Sequence, residues 1–257
     1  MRYACAIMSV VLLFGGAGAT DPGLPVPADP PAAKGEEMTS EQIIQKFAEK
    51  ETEAYEAWMR YAYTQISEIR VLAVDGRPQR ESMTILSEVI FKDDGTREIH
   101  TVRRSGRLKS VIFTQEDHEV LHNINPFALT VREIPLYDIV YEGKERVDEL
   151  ECYVFSVKPK NMRRGRMYFE GRVWVDDQDF QVVRTIGKPV PQTRDQLFPE
   201  FETLRQIIDG RFWFPVWTYA DSTLRFPGSS VRMEKIITYE NYRRFESDAI
   251  IKYTLPE

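Results

Sequence analysis

From about residue 60 the chain alternates apolar and polar positions over long runs, the period of strands with two unlike faces. Three such runs lie in a row between Cys152 and Lys188. In Tyr153–Lys158, Tyr153, Phe155 and Val157 share one side and Val154, Ser156 and Lys158 the other. In Met167–Val175, Phe169, Gly171, Val173 and Val175 oppose Glu170, Arg172 and Trp174. A basic loop joins these two runs, and the acidic turn Asp176-Asp177-Gln178-Asp179 leads into the third, Phe180–Ile186. Upstream, the pattern predicts strands near 60–74, 80–92, 96–104 and 107–114, parted by Asp75-Gly76, Asp93-Asp94-Gly95 and Ser105-Gly106, and another over 139–146. Asp-Gly and Ser-Gly between alternating runs are hairpin signals. Downstream, Pro189 and Pro191 break the sheet, and strands resume at 201–208, 211–220, 231–239 and 245–253.

Before residue 60 the period changes to that of a helix. Ile43, Ile44, Phe47, Ala48, Tyr55 and Met59 make an apolar stripe, and Thr39 with Gln42 forms a capping box at its start. The acidic residues Glu49, Glu51, Glu53 and Glu56 argue for packing against a sheet rather than for a membrane-surface helix. A second, short helix is predicted over 115–123, stopped by Pro126. No parallel βαβ unit and no internal repeat is present.

The expected fold is α+β: a strongly curved antiparallel β-sheet of about 10–11 strands, an incomplete barrel with helices packed on its concave side. Strands of ten residues or more suit such a sheet better than a sandwich of short strands. Phe212, Phe214 and Val216 share a side of their strand, with Trp213, Trp217 and Tyr219 on the other. Together with Tyr153, Phe155, Val157, Phe169, Val173 and Val175 they are either core or the wall of an apolar cavity, which periodicity does not separate.

The N-terminus carries an address. Met1-Arg2, the apolar run Ala4–Phe14 and Ala17-Gly18-Ala19 predict a signal peptide over 1–19. Five prolines among residues 20–38 mark an extended linker, leaving 39–257 as one domain. Export implies the periplasm and a mature chain with one cysteine, Cys152, read as a small buried hydrophobe. The formal charge of −6 speaks against a generally basic nucleic-acid binder and leaves at most peripheral membrane contact.

The signal peptide, first helix, long meander and mid-chain helical insertion resemble the periplasmic lipoprotein-sorting proteins of the LolA/LolB type. The segment Tyr168-Phe169-Glu170-Gly171-Arg172-Val173-Trp174-Val175-Asp176, followed by Phe180-Gln181-Val182-Val183-Arg184, is similar to that superfamily's aromatic strand, acidic turn and apolar strand. The resemblance implies a half-barrel lidded by helices, sheltering acyl chains of a lipid or lipoprotein. This chain is longer than such carriers, and no ligand-contact residue is carried over.

Three constellations could carry chemistry. His118-Glu119-Val120-Leu121-His122 reads as H-E-x-x-H, the zinc-peptidase spacing, with His118 and His122 as ligands. Asn125-Pro126 follows where an extended site would continue, and Glu133, Glu142 and Glu145 qualify as a third ligand only by sequence distance. Lys158, Lys160, Arg163, Arg164 and Arg166 form a basic cluster that reads as a solvated hairpin tip or a contact for lipid phosphates or an acidic partner. Asp176, Asp177 and Asp179 form too short a loop for an EF-hand. The expected function is a non-catalytic, cofactor-free carrier of lipid or lipoprotein in the cell envelope. The alternatives are a zinc peptidase and an envelope sensor or assembly module that binds proteins.

Overall fold

The computed structural model describes residues 38–92, 94–111, 127, 129–192, 198–226 and 229–245. The expected signal peptide, the linker up to residue 37, the helix over 115–123 with its H-E-x-x-H motif, and any strand beyond Phe245 lie outside them.

Helix α1 spans Ser40–Trp58 and starts as its sequence dictates. Thr39 is extended (φ −70°, ψ 158°), its hydroxyl accepts from the Gln42 N–H, and the Gln42 side chain accepts from the Thr39 N–H at 2.8 Å. Ile43, Phe47, Ala48, Glu51, Ala54 and Trp58 are buried along one stripe. The burial corrects one expectation. Trp58 rather than Met59 completes the stripe, and of the acidic run Glu51 lies on the core side.

Ten strands follow: β1 Tyr61–Leu72, β2 Pro78–Phe91, β3 Arg97–Arg107, β4 Tyr137–Val147, β5 Leu150–Pro159, β6 Tyr168–Asp176, β7 Val182–Val190, β8 Phe201–Ile208, β9 Phe212–Phe226 and β10 Ser229–Arg244. They form one sheet in the order β3-β2-β1-β10-β9-β8-β7-β6-β5-β4, with every neighbouring pair antiparallel. Among the described residues the sheet is not closed, and β3 and β4 are its edges. Two meanders, β1 to β3 and β4 to β10, are joined where β1 lies beside β10.

The expected tight turns form at Gly76 (φ 83°), Gly95 (φ 79°) and Asp209-Gly210 (φ 51° and 67°). The last opens a three-residue connection, 209–211, whose Arg211 N–H donates to the Ile208 carbonyl. Ser105-Gly106 is a correction: it lies inside β3, and Gly106 pairs with Met83. Its φ of 79° bends the strand, and a Cβ there would sit 2.2 Å from the Ser82 carbonyl oxygen. The strand expected at 107–114 is absent over 108–111. Pro189, expected to end the sheet, lies within β7. Pairing with β8 stops at Gly187, so this residue without an N–H occupies a stretch with no partner on that side.

One face of the sheet meets α1. Ile43, Phe47 and Ala48 pack with Phe155, Val157, Val173, Val175 and Val182, while Ala54 and Trp58 pack with Tyr61, Tyr63, Val89 and Phe214. The opposite face carries a smaller cluster of Cys152, Val154, Trp174 and Val183. No described element lies over Trp174. Instead the guanidinium groups of Arg172 and Arg184 stack on its ring at 4.8 and 4.7 Å, and its indole N–H donates to Glu145 at 2.9 Å.

The glycine in β3 makes a direct test. Gly106→Ala should lower stability by about 2–3 kcal/mol, because both the left-handed backbone and the close carbonyl oppose a Cβ. Gly165→Ala, at φ 76° with open space around it, should cost only ~1–2 kcal/mol. Urea midpoints of the two variants decide the ordering, and equal losses would mean that β3 yields locally.

Candidate functional site

Antiparallel pairing puts partners on the same face, so the registers can be read straight across the sheet. One row runs through all ten strands: Arg104, Ile85, Ser67, Ile237, Thr218, Thr203, Thr185, Val173, Phe155 and Tyr141. Val173 and Phe155 assign this row to the inner face, the one that meets α1. Threonines occupy its centre. The Thr203 and Thr218 hydroxyls are 2.9 Å apart, and Thr218 is 3.2 Å from the Tyr239 hydroxyl.

The β4–β7 side of this face is filled. Phe47 packs on Phe155 with ring centroids 5.4 Å apart. At its other end α1 seats Trp58 among Tyr63, Phe91 and Phe127, at 5.8, 4.7 and 5.2 Å. Between these contacts lies a buried ion pair. The Arg205 guanidinium donates to both Glu51 oxygens at 2.7 and 3.0 Å, and both side chains are 2 % exposed. Arg205 also lies over the Phe127 ring at 4.5 Å. Beside the pair is a cavity of about 10 Å³ lined by Leu129, Phe169, Val173, Val182 and Thr185. That is room for about one water, far below the ~300 Å³ of a small-ligand pocket.

A second region of the inner face has another character. One step along the strands from the threonine row, the register gives Met83, Ile69, Lys235 and Ala220 on β2, β1, β10 and β9. Ile69, Val71, Ala220 and Met233 are buried, yet none belongs to the clusters that hold α1. Lys235 is half-buried among them. Burial alone pushes its ammonium pKa down to about 8. Carboxylates near it on these strands sit at the opposite parity, and Glu81 of β2 accepts from the Lys109 and Ser110 N–H groups. Glu68 and Glu234 bond Arg70, and Asp221 bonds Arg232, on the outer face.

The residues expected to line a cavity divide as follows. Phe155, Val157, Val173 and Val175 are fully covered in the cluster with α1, and Tyr153 and Phe169 pack at its margin. Phe214 is buried and Phe212 half-buried beside Trp58's cluster. Val216 is half-buried, at the bulge where pairing steps from Leu204–Trp217 to Arg205–Pro215. In the basic loop, Lys158, Lys160, Arg163 and Arg164 are exposed. Arg166 is instead paired with Glu133 and stacked on Tyr168, and the Lys160 ammonium donates to the Pro135 carbonyl at 3.3 Å. The acidic stretch is a turn: the Phe180 N–H donates to the Asp176 carbonyl, and Asp177 pairs with Lys144. Burial, reinforced by Asp179, holds the Asp176 carboxyl above its usual range. Cys152 is buried, and burial pushes its thiol up to about 12, which leaves it inert. His118 and His122 lie outside the described residues, within which no group of three or more metal-ligating side chains is assembled.

Glu51, Arg205 and Lys235 are the residues that sequence patterning passed over. Each has a signal in its phase. Glu51 falls four residues after Phe47 on the buried stripe, Arg205 two after the inward Thr203, and Lys235 between the inward Met233 and Ile237.

Two predictions follow from these charges. Glu51→Leu should cost about 3–5 kcal/mol because it strands a buried guanidinium, and adding Arg205→Met should recover most of that loss; a urea double-mutant cycle reads the coupling. Lys235→Met should be more stable than the parent by about 1–3 kcal/mol below pH 8, where folded and unfolded chains both hold the proton. Between pH 8 and 10.5 the unfolded chain binds more protons than the folded one, so the parent gains stability with pH and the difference should vanish. Its inner-face neighbours Met83, Ile69, Ala220, Met233 and Ile237 do not titrate, so melting temperature against pH isolates this lysine.

No family model matches the chain, and no curated protein matches it by sequence. Solved structures do. A DUF1329 family protein from Desulfovibrio piger is similar at 14% identity and TM-score 0.47, over 81% of this chain and 94% of that one. A LolA superfamily protein from Nitrosomonas europaea is similar at 12% identity and TM-score 0.36, over 82% and 95%. A putative outer membrane lipoprotein-sorting protein domain from Vibrio parahaemolyticus is similar at 11% identity and TM-score 0.39, over 82% and 95%. Two of these three carry the name of the lipoprotein-sorting superfamily that the sequence resembles.

Proposed function

We propose that this chain is an exported, non-catalytic carrier that shelters an acyl chain of a lipid or lipoprotein in the cell envelope. The observation that carries the reading is an apolar stretch of the inner face, Met83, Ile85 and Ile237, left partly exposed outside the clusters that hold α1. The acyl chain lies over β1, β2, β9 and β10. Tyr153, Phe155, Val157, Phe169, Val173, Val175, Phe212 and Phe214, packed with α1, form the wall beside it, and Val216 lies at the boundary.

A concave inner face is part of the proposal, and the reach of α1 supports it. Phe47 touches β5 and Trp58 touches β2, strands seven positions apart in the sheet, or ~34 Å if it were flat. The two side chains are eleven residues apart on the helix, only ~16 Å. A sheet curled toward α1 shortens that span. The signal-peptide pattern over 1–19 supports export to the periplasm, and no described helix is long and apolar enough to cross a membrane. The exposed Lys158, Lys160, Arg163 and Arg164 are a contact for lipid phosphates or an acidic envelope protein.

Native mass spectrometry of the chain purified from an exported preparation tests the reading. Lipid should leave with the protein and be lost on delipidation, and the stripped protein should take up a fluorescent fatty acid. A lipid-free preparation that takes up none overturns it. Metal analysis showing about one zinc per chain, lost in His118→Ala, would favour a peptidase instead.

A further inference from the structure

The region over β1, β2, β9 and β10 contains a cation that nothing in its surroundings explains. Lys235 sits at the centre of a cross: Ile69 and Ala220 on the neighbouring strands, Met233 and Ile237 two residues away on its own. All four neighbours are apolar. The strand pleat sends Glu68, Glu234 and Asp221 to the other face, where Arg70 and Arg232 occupy them. Toward the sheet centre the next row offers only hydroxyls, from Ser67 and Thr218.

A lysine that served stability would have an acid within reach. This one is half-buried, desolvated and surrounded by hydrocarbon. Its charge is a cost to the empty protein that an anion would remove, because a charge-assisted hydrogen bond is strongest where water is excluded. The apolar floor around it selects which anion: one attached to a chain that the partly exposed Met83, Ile85 and Ile237 can cover. A free inorganic anion would leave that floor unpaired. A neutral acyl glyceride would leave the ammonium unpaired.

We infer that the inner face at Lys235 binds the head of a single-chain anionic amphiphile, a long-chain carboxylate being its minimal form, with the ammonium on the carboxylate and the chain along the apolar floor. This rests on the carrier reading and adds to it the charge of the cargo and the residue that reads it. Lys235 is a specificity residue: it contributes to affinity only when the cargo is anionic.

The test compares palmitate with 1-monopalmitoylglycerol, the same chain with a charged or an uncharged head, by calorimetry on the delipidated chain. The parent should prefer palmitate by about tenfold or more. Lys235→Met should lose that preference while still binding the glyceride, and Lys235→Arg should keep it. Thermal unfolding of Lys235→Met, expected at or above the parent's temperature, confirms that the loss is not misfolding. If the parent binds both equally, or if Lys235→Met retains the preference, the inference fails and the carrier reading stands. If the parent binds neither, both fail.

Discussion

The structure depends on the pairing of β1 with β10. Tyr61 to Leu72 lies along Arg244 to Arg232, residues at opposite ends of the described chain. Without that ladder there would be two separate meanders, of three and seven strands, each with an extra open edge. Every other strand pair is closed by a local turn or a neighbouring connection. This one closes the longest loop, so it carries the largest loop-closure entropy of the strand pairings. Helix α1 runs directly into β1, so the same ladder fixes where its aromatic end can sit. Trp58 lands on Tyr63, which pairs with Val89 of β2 and packs on Tyr239 and Tyr242 of β10.

A single helix cannot cover such a face. An α-helix is ~10 Å wide. Strand β10, at sixteen residues, is ~54 Å long. Helix α1 therefore fills a band, from Phe47 on β5 to Trp58 near β2, and the buried Glu51–Arg205 pair pins the middle of that band to β8. The pair contributes little net stability relative to an apolar substitute, but only one position of α1 satisfies both charges. What lies beyond the band, around Ile69 and Lys235, is left to other contacts.

Much of the fold was legible because alternation and turn chemistry agreed. Strands β5 to β8 and the positions of Phe155, Val173 and Trp174 on their faces follow from period two, and the start of α1 from Thr39 and Gln42. Gly106 misled because Ser-Gly in an alternating run signals a hairpin, whereas here the glycine bends an edge strand against the Ser82 carbonyl. The candidate site was less legible for a physical reason. Residues such as Glu51 and Lys235 break the polar-outward rule that makes patterning work, and only the helix packing and strand register show that they point inward. The aromatic side chains that pattern favoured as cavity wall are the ones large enough to fill the space under α1.

The two open edges are each interrupted. In β3 the pairing skips Val102, and Gly106 bends the strand again, next to Arg103, Arg104 and Arg107. In β4 it skips Glu142 beside Gly143, with Lys144, Glu145 and Arg146 following. An eleventh strand would need a straight, unpaired ladder of N–H and C=O groups, and neither edge offers one of useful length. Here the sheet is terminated by geometry and by charged side chains, of one sign at the Gly106 end of β3 and of both signs on β4, so it can stay open without becoming the template for a fibre.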